Sequence, residues 1–201
     1  MSDPIENLAK TFLAFPGIGR RQAKRFVYHL LEVSPGEIDK LLTDLKNLRA
    51  KVTRCARCYR FFLNTNGDTQ CDICRNKARD NSQLLVVEKD ADLDNIERAG
   101  TYRGYYFVLG SLATSLMSEP EEHLRLKELV TRLKQEPNIK EVILALAANQ
   151  DGDTLAGSVE QALLPLGSQI KTTLLGRGLS TGAELEYVDP ETLKNALKNR
   201  S

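Results

Sequence analysis

Four cysteines lie close together in the first half of this 201-residue chain. They are Cys55, Cys58, Cys71 and Cys74, and they form two pairs in which two residues separate the members of each pair. Two thiolates three positions apart can bind one metal ion from a tight turn, and a second pair completes a tetrahedral shell. Such a closed shell is typical of structural Zn²⁺ and leaves no position for a catalytic water. A redox pair or a disulfide knot is the alternative, although disulfides are rare in cytosolic proteins.

A basic cluster follows a glycine-containing turn near the start of the chain. The turn consists of Pro16, Gly17, Ile18 and Gly19. The basic residues after it are Arg20, Arg21, Lys24 and Arg25. A helix-hairpin-helix turn exposes backbone N–H groups beside the N-terminus of the next helix, where they bind phosphate without reading bases. We expect the isoleucine to point inward and anchor the hairpin; an ordinary turn between packed helices is the alternative.

The charges are distributed unevenly along the sequence. Residues 1–79 contain 15 Lys and Arg against 8 Asp and Glu, a balance of +7, whereas residues 80–201 contain 13 against 19, a balance of −6. A basic domain attracts the phosphate backbone of DNA, and an acidic domain does not. The first part of the chain is therefore the candidate DNA-binding part, with a chance imbalance on solvated faces as the alternative.

Three carboxylates follow two apolar runs in the second half of the chain. Glu88 comes directly after residues 84–87, and Asp151 and Asp153 follow residues 142–146. The carboxyl ends of parallel strands meet at the crevice where ligands bind, and carboxylates are hard oxygen ligands that suit Mg²⁺. The spacing alone favours the alternative, in which the two aspartates cap and begin the helix that follows.

The apolar periodicity separates three kinds of segment. Residues 3–48 are helical, and Ser34 to Glu37 predict the cap of a third helix. Its inner face would carry Ile38, Leu41, Leu42 and Leu45. Residues 54–77 are turn-rich and too short to bury a core without help.

From residue 82 onward, short apolar runs alternate with helical stretches, which predicts βαβ units and a mostly parallel sheet. The runs are residues 84–87, 105–109, 142–146 and 170–175. A capped helix is expected from Asp189 to Asn199. No apolar run approaches the roughly 20 residues that a membrane span needs, and the first residues do not form a secretory signal, so we expect a cytoplasmic protein. The predicted fold class is α/β with small domains.

In this order, the segments resemble the RecR family of bacterial recombination mediators over nearly the whole chain. The resemblance is carried by residues 15–19, 28–31, 71–75, 79–80, 85–88, 102–104, 108–110, 177–179 and 185–187, with Gly182 and Asp189. It implies four parts: a helix-hairpin-helix region for DNA binding and dimerisation at 1–53, a four-cysteine zinc finger at 54–80, a Toprim domain at 81–176, and a C-terminal arm and helix at 177–201. It also implies a homo-oligomer, from dimer to ring-like tetramer, that encircles DNA.

The function implied by the resemblance is mediation without catalysis. The chain would bind single- and double-stranded DNA irrespective of sequence and, with RecO and RecF, promote RecA loading at single-strand gaps. The resemblance assigns DNA contacts to Arg21 and Arg25. It assigns the Toprim acidic set, which it links to partner binding, to Glu88, Asp151 and Asp153.

The chain departs from the family pattern at residues 111–118 and 146–153. The usual glutamate pair of the acidic motif is a pair of aspartates here, whose carboxylates reach about one methylene less far. Two other functions also fit parts of the sequence. The acidic set favours a Toprim-type, Mg²⁺-dependent DNA-processing enzyme, although there is no separate domain to carry a nucleophilic tyrosine. The cysteines alone would also suit a zinc-ribbon scaffold that binds only protein.

Overall fold

The computed structural model describes residues 3–110 and 124–200. The chain divides into two compact units, and each is described by itself. The first unit is Met1–Thr53 with Leu63–Gly67, and the second is Arg54–Phe62 with Asp68–Ser201.

Three helices make up most of the first unit. They are α1 (Pro4–Leu13), α2 (Arg20–Glu32) and α3 (Pro35–Lys51). Helix α1 begins after Asp3, whose carboxylate accepts the N–H of Ile5 at 3.0 Å and satisfies one of the donors left open in a first helical turn. Helices α1 and α2 pack together through a small core of Ala9, Ala23 and Val27.

The third helix begins as predicted but buries none of its side chains. The Ser34 hydroxyl accepts the N–H of Glu37 at 3.4 Å, and the Glu37 carboxylate accepts the N–H of Ser34 at 2.9 Å, which completes a capping box. Three of the four residues of the expected inner face are exposed, at 43% for Leu41, 50% for Leu42 and 51% for Leu45, and Ile38 is half-buried. The prediction that this face is buried within the chain was wrong, because periodicity shows which residues share a face but not what covers it.

Residues 52–77 contain the four cysteines and are called the cysteine segment. This segment contains two short strands and one helical turn. Strands β1 (Val52–Arg54) and β2 (Phe61–Leu63) pair as a two-stranded sheet. Helix α4 (Asp72–Arg75) follows Cys71, which is its N-cap residue. The segment has no helical period, as the sequence predicts, and four of its five buried residues are the cysteines.

Four parallel strands form the central sheet of the second unit, in the order β4–β3–β5–β6. The strands are β3 (Asp80–Val87), β4 (Gly104–Val108), β5 (Glu141–Ala145) and β6 (Lys171–Leu174). The helices that alternate with them are α5 (Asp90–Ala99), α6 (Leu126–Gln135) and α7 (Gln150–Leu163). A 3₁₀ segment, Leu164–Gln169, leads from α7 into β6. The predicted α/β fold, with a parallel sheet flanked by helices, is confirmed.

The two faces of the sheet are covered by different elements. Leu84 and Val86 of β3 point toward a core that includes buried residues of α6 and α7. Leu85 and Val87, which alternate with them, point toward Leu93 of α5 and the four cysteines. Since successive side chains of a strand point to opposite faces, a continuous apolar run is what a strand buried on both sides requires. The cysteine segment therefore serves as part of one covering layer.

The chain ends in an arm and a short helix. The arm includes a 3₁₀ turn, Leu185–Tyr187, and leads to α8 (Pro190–Lys198). The Asp189 carboxylate accepts the N–H groups of Glu191 at 3.1 Å and Thr192 at 2.9 Å, which confirms the predicted cap. The departure from the family pattern at 111–118 lies outside the described residues. No helix in the described ranges combines the length and apolar character that spanning a membrane requires.

Candidate metal centre, basic hairpin and acidic sheet edge

The four predicted metal ligands converge on one point. Their sulfur atoms all lie within 4.8 Å of one another, and all four side chains are buried. The sulfurs of Cys58 and Cys71 are 3.6 Å apart, close to the roughly 3.8 Å expected between two sulfurs of a tetrahedron with 2.3 Å metal–sulfur bonds. The first turn is closed by the N–H of Tyr59, which donates to the carbonyl of Cys55 at 3.0 Å, and the second by the N–H of Arg75, which donates to the carbonyl of Cys71 at 3.1 Å.

Contacts among the thiols separate their pKa values. Hydrogen bonds with Cys58, Cys71 and Cys74 lower the pKa of Cys55. Hydrogen bonds with neighbouring thiols, followed by burial, raise the pKa of Cys58 and of Cys74. Four adjacent buried thiolates repel one another, so all four ionise together only when a cation neutralises them. The donor set therefore fits one thiophilic metal ion with a closed shell.

The cysteine segment is fastened to the sheet and to α6. Arg57 donates from Nε and Nη2 to the two carboxylate oxygens of Glu136 at 2.9 and 2.8 Å, and from Nη1 to the carbonyl of Cys74 at 2.8 Å. The N–H of Val108, at the end of strand β4, donates to the carbonyl of Cys58 at 2.8 Å. Both cysteine pairs are thus tied directly to the surrounding fold.

Sequence reasoning missed a second arginine at this junction. Arg132 is only 5% exposed and is the sole buried charged residue in the described ranges. Its Nη1 donates to the carbonyl of Arg57 at 3.1 Å, and its Nε donates to Glu136 at 3.1 Å. Burial raises the pKa of Glu136, but the hydrogen bonds and charges of the two arginines outweigh burial and hold that pKa below its usual value. The sequence feature that could have identified Arg132 is its position in the apolar stripe of α6.

The hairpin turn has the backbone conformation that its glycines allow. Gly17 has a φ of 74°, in the left-handed region that residues with a side chain rarely adopt. The N–H of Ile18 donates to the carbonyl of Phe15 at 3.2 Å, and Gly19 is the N-cap residue of α2. Ile18 is half-buried against the core between α1 and α2. The turn therefore leads directly into the N-terminus of α2.

The basic residues of α2 differ in their pairing. Lys24 forms an ion pair with Glu6 of α1, with 2.5 Å between Nζ and Oε1. The exposed guanidinium groups of Arg20, Arg21 and Arg25 have no carboxylate partner within the described ranges. No side chain caps α2, and its first turn contains no acidic residue. Three guanidinium groups thus accompany a positively polarised helix N-terminus.

The acidic residues lie at the carboxyl edge of the sheet, as predicted. Glu88 follows β3 and is half-buried, with its carboxylate 3.3 Å from the Nζ of Lys89. Asp151 and Asp153 are exposed in the first turn of α7. Asp153 forms an ion pair with Arg177 of the C-terminal arm, with 2.6 Å between Oδ1 and Nη2. The position of Arg177 gave no indication of this contact before the fold was known.

The three carboxylates do not converge as the cysteines do. Among residues 3–110 and 124–200, the cysteine cluster is the only group of three or more ligating side chains close enough to hold one ion. The N-cap of α7 is Asn149, whose side chain accepts the N–H of Gly152 at 2.9 Å. The aspartates thus occupy first-turn positions, where a carboxylate favours helix formation.

Comparison with known proteins gives matches to two family models. Residues 82–173 match the Toprim domain, and residues 178–201 match the C-terminal region of RecR. These matches cover the parallel sheet and the C-terminal arm with its helix. The predicted Toprim-type sheet is therefore confirmed.

Curated relatives match along the whole chain. The chain is 39% identical over 202 residues to the recombination protein RecR of Chlorobium phaeobacteroides (strain BS1), covering 100% of this chain and 97% of that protein. It is 39% identical over 197 residues to that of Chloroflexus aggregans, covering 98% and 93%. It is 33% identical over 199 residues to that of Limosilactobacillus reuteri (strain DSM 20016), covering 99% and 96%. The chain belongs to the RecR family.

Proposed function

We propose that this chain is a recombination mediator in DNA repair, a clamp that binds DNA without catalysing a reaction on it. The observation that carries the proposal is the exposed guanidinium cluster on α2, in a chain similar to recombination proteins over its full length. Such a protein acts by holding DNA and bringing other proteins to it. It would work in the cytoplasm, where the bacterial chromosome lies.

The proposed DNA interface is the glycine hairpin together with the first two turns of α2. Backbone N–H groups at a helix N-terminus bind phosphate oxygens, and guanidinium groups add charge-assisted hydrogen bonds. Arg20, Arg21 and Arg25 would supply these, and Lys24 would contribute less because it is already paired with Glu6. Contacts to phosphate carry no base information, so single- and double-stranded DNA of any sequence should bind.

The proposed metal is structural Zn²⁺, held by the four cysteine sulfurs. When bound, the ion supplies a cross-link in place of an apolar core and no reaction chemistry. Arg57 and Glu136 then hold the cross-linked segment against α6. We propose the zinc finger as residues 54–80, after a DNA-binding and dimerisation region at 1–53. The Toprim domain at 81–176 and the arm and helix at 177–201 complete the chain.

The proposed assembly is a dimer that pairs into a ring-like tetramer around DNA. The exposed apolar face of α3 supports self-association, because large apolar patches on a soluble protein usually mark an interface. The arm adds Leu185 at 66% exposure and Tyr187 at 80%. A closed ring would present several copies of the α2 cluster to one DNA molecule, so individually weak phosphate contacts would act together.

The proposed partners are RecO and RecF, which with this chain promote RecA loading at single-strand gaps. The partner surface would be the acidic sheet edge with Glu88, Asp151 and Asp153. The exposure of the two aspartates supports this assignment, because exposed carboxylates can pair with basic side chains of another protein. The sheet edge would thus bind protein while α2 binds DNA.

A salt titration of DNA binding tests the interface. The double variant Arg21→Ala/Arg25→Ala should bind DNA more weakly than the parent, to a similar extent for unrelated sequences. The slope of log K against log[salt] should become shallower by about one for each phosphate group that the variant no longer neutralises. Fluorescence anisotropy with labelled single- and double-stranded oligonucleotides measures both quantities.

The matched control is Lys194→Ala/Lys198→Ala, which removes the same charge from α8. It should keep the parental affinity and slope. If the two double variants behave alike, net charge and not the hairpin surface determines DNA binding, and the assigned interface is wrong.

A further inference from the structure

The C-terminal arm places a cation on one of the proposed partner-binding carboxylates. Arg177 Nη2 lies 2.6 Å from Oδ1 of Asp153, and the Arg177 carbonyl accepts a hydrogen bond from the side chain of Asn199 at 2.9 Å. The charged contact therefore holds the arm at this edge, and the uncharged one ties Arg177 to the residue that follows α8. A polar cavity of about 370 Å³ lies beside these contacts, lined in part by Arg177 and the first turn of α8.

The charged contact is exposed enough to be exchanged. The Asp153 side chain is 53% exposed and that of Arg177 is 26% exposed. Ion pairs in such positions are screened by water and salt and contribute little to stability. An external cationic group can therefore reach the carboxylate and compete for it.

Two of the three carboxylates of this edge are already paired with cationic side chains. Glu88 lies beside Lys89, Asp153 lies beside Arg177, and Asp151 in the same helical turn has no ion pair within the described ranges. The three carboxylates do not form the close oxygen cluster that a divalent ion needs. A guanidinium group needs only one planar carboxylate, which it can bind through two parallel hydrogen bonds.

We propose that Arg177 is an internal competitor for a basic partner segment, and that it leaves Asp153 when a protein presents an arginine to the acidic edge. This inference rests on the proposed partner role of that edge and adds its regulation. In the unbound chain the guanidinium of the arm pairs with the carboxylate and leaves it partly exposed. On binding, the partner's guanidinium takes the place of the arm's, and the number of charge pairs at Asp153 is unchanged.

The test is binding of a fluorescently labelled hexa-arginine peptide to the full-length, metal-loaded chain at low salt. Arg177→Gln should bind the peptide about two- to fivefold more tightly than the parent, the range expected when a surface ion pair no longer competes. Lys198→Gln removes an equal charge from the end of α8 and should give a much smaller gain. Equal gains in both variants would overturn the proposal, since net charge alone would then explain them.

Two further variants separate competition from loosening of the arm. Asn199→Ala removes the uncharged contact and should leave peptide affinity unchanged; tightening equal to that of Arg177→Gln would contradict competition by the guanidinium. Asp153→Asn combined with Arg177→Gln should abolish the gain, and a gain that persists would show that the peptide binds elsewhere. Circular dichroism establishes that each variant is folded.

The same variants distinguish this inference from the proposed function. If RecO or RecF binds and binding needs Asp153, but Arg177→Gln tightens neither peptide nor partner, the partner role stands and the internal competitor is refuted. If the peptide results are as expected but neither RecO nor RecF binds any variant, competition for the carboxylate stands and the proposed partners are refuted.

Discussion

Gly152 separates the two aspartates of the acidic edge and lies buried against the loop before α7. A Cβ atom at this position would lie 1.9 Å from the carbonyl oxygen of Ala147, whereas nothing lies within 4 Å of a Cβ built on Gly157 in the same helix. The first glycine is therefore required by packing. The second gives α7 only the conformational cost that glycine has in any helix.

The two glycines should respond oppositely to alanine. Gly152→Ala should destabilise the protein by about 1–3 kcal/mol, because backbone atoms must move to admit the methyl group. Gly157→Ala should stabilise it by about 0.5–1 kcal/mol, because alanine favours helix without meeting a neighbour. Urea unfolding followed by circular dichroism measures both. Similar effects of the two substitutions would show that the close approach at Gly152 is absent in solution.

Residue roles could be predicted where the chemistry is local in the chain. The type and spacing of the cysteines predict a four-thiolate metal site before any fold is known, and the structure brings the four sulfurs together. Arg132 and Arg177 could not be predicted in this way, because their partners lie on distant segments. Arg132 bonds to the carbonyl of residue 57, and Arg177 bonds to residue 153. Charge and exposure indicate a candidate for pairing but not its partner.

At the scale of elements, the cysteine segment is the part whose structure we expect to depend most on the proposed metal ion. It covers the same face of the sheet as α5, with Ile73 of α4 buried beside the four cysteines. Without the ion, the cysteine segment would have to keep its structure by its own apolar contacts, and it is too short to form a core. Metal removal should therefore expose the part of this sheet face that α5 does not cover.

Removal of the metal should lower the melting temperature and increase binding of a hydrophobic dye. Cys71→Ser should do the same without chelator, because it removes one of four ligands and leaves the segment otherwise unchanged. Calorimetry together with zinc analysis measures the effect. The control is the same chelator already saturated with zinc, which should change nothing. An unchanged melting temperature after complete metal loss would contradict a structural role.

Prediction of elements succeeded where the signal lies within one element. The capping box at Ser34 and Glu37 and the cap at Asp189 are present as expected, because cap geometry depends on residues three apart. The buried face of α3 was predicted wrongly, since burial depends on a second surface. The apolar runs predicted where the strands lie but not their order in the sheet. The order depends on which strands pair, and β3 pairs both with β4 and with the more distant β5.

At the scale of the whole molecule, the exposed apolar face of α3 predicts self-association. The variant Leu42→Glu/Leu45→Glu places charges in that face and should shift the protein to smaller species, because a buried unpaired carboxylate is costly. Light scattering coupled to gel filtration over a range of concentrations measures the shift. Asn47→Glu, on the opposite side of α3, is the control and should assemble normally. A parent chain that is monomeric at every concentration would exclude a ring.

Reconstitution on gapped DNA coated with single-strand-binding protein tests most directly whether the chain mediates RecA loading, as we propose. With RecO and RecF present, the parent chain should accelerate DNA-dependent ATP hydrolysis by RecA. Arg21→Ala/Arg25→Ala should lose most of this stimulation, and Lys194→Ala/Lys198→Ala should keep it. If the folded, metal-loaded parent chain gives no stimulation with either partner, the chain is not a mediator.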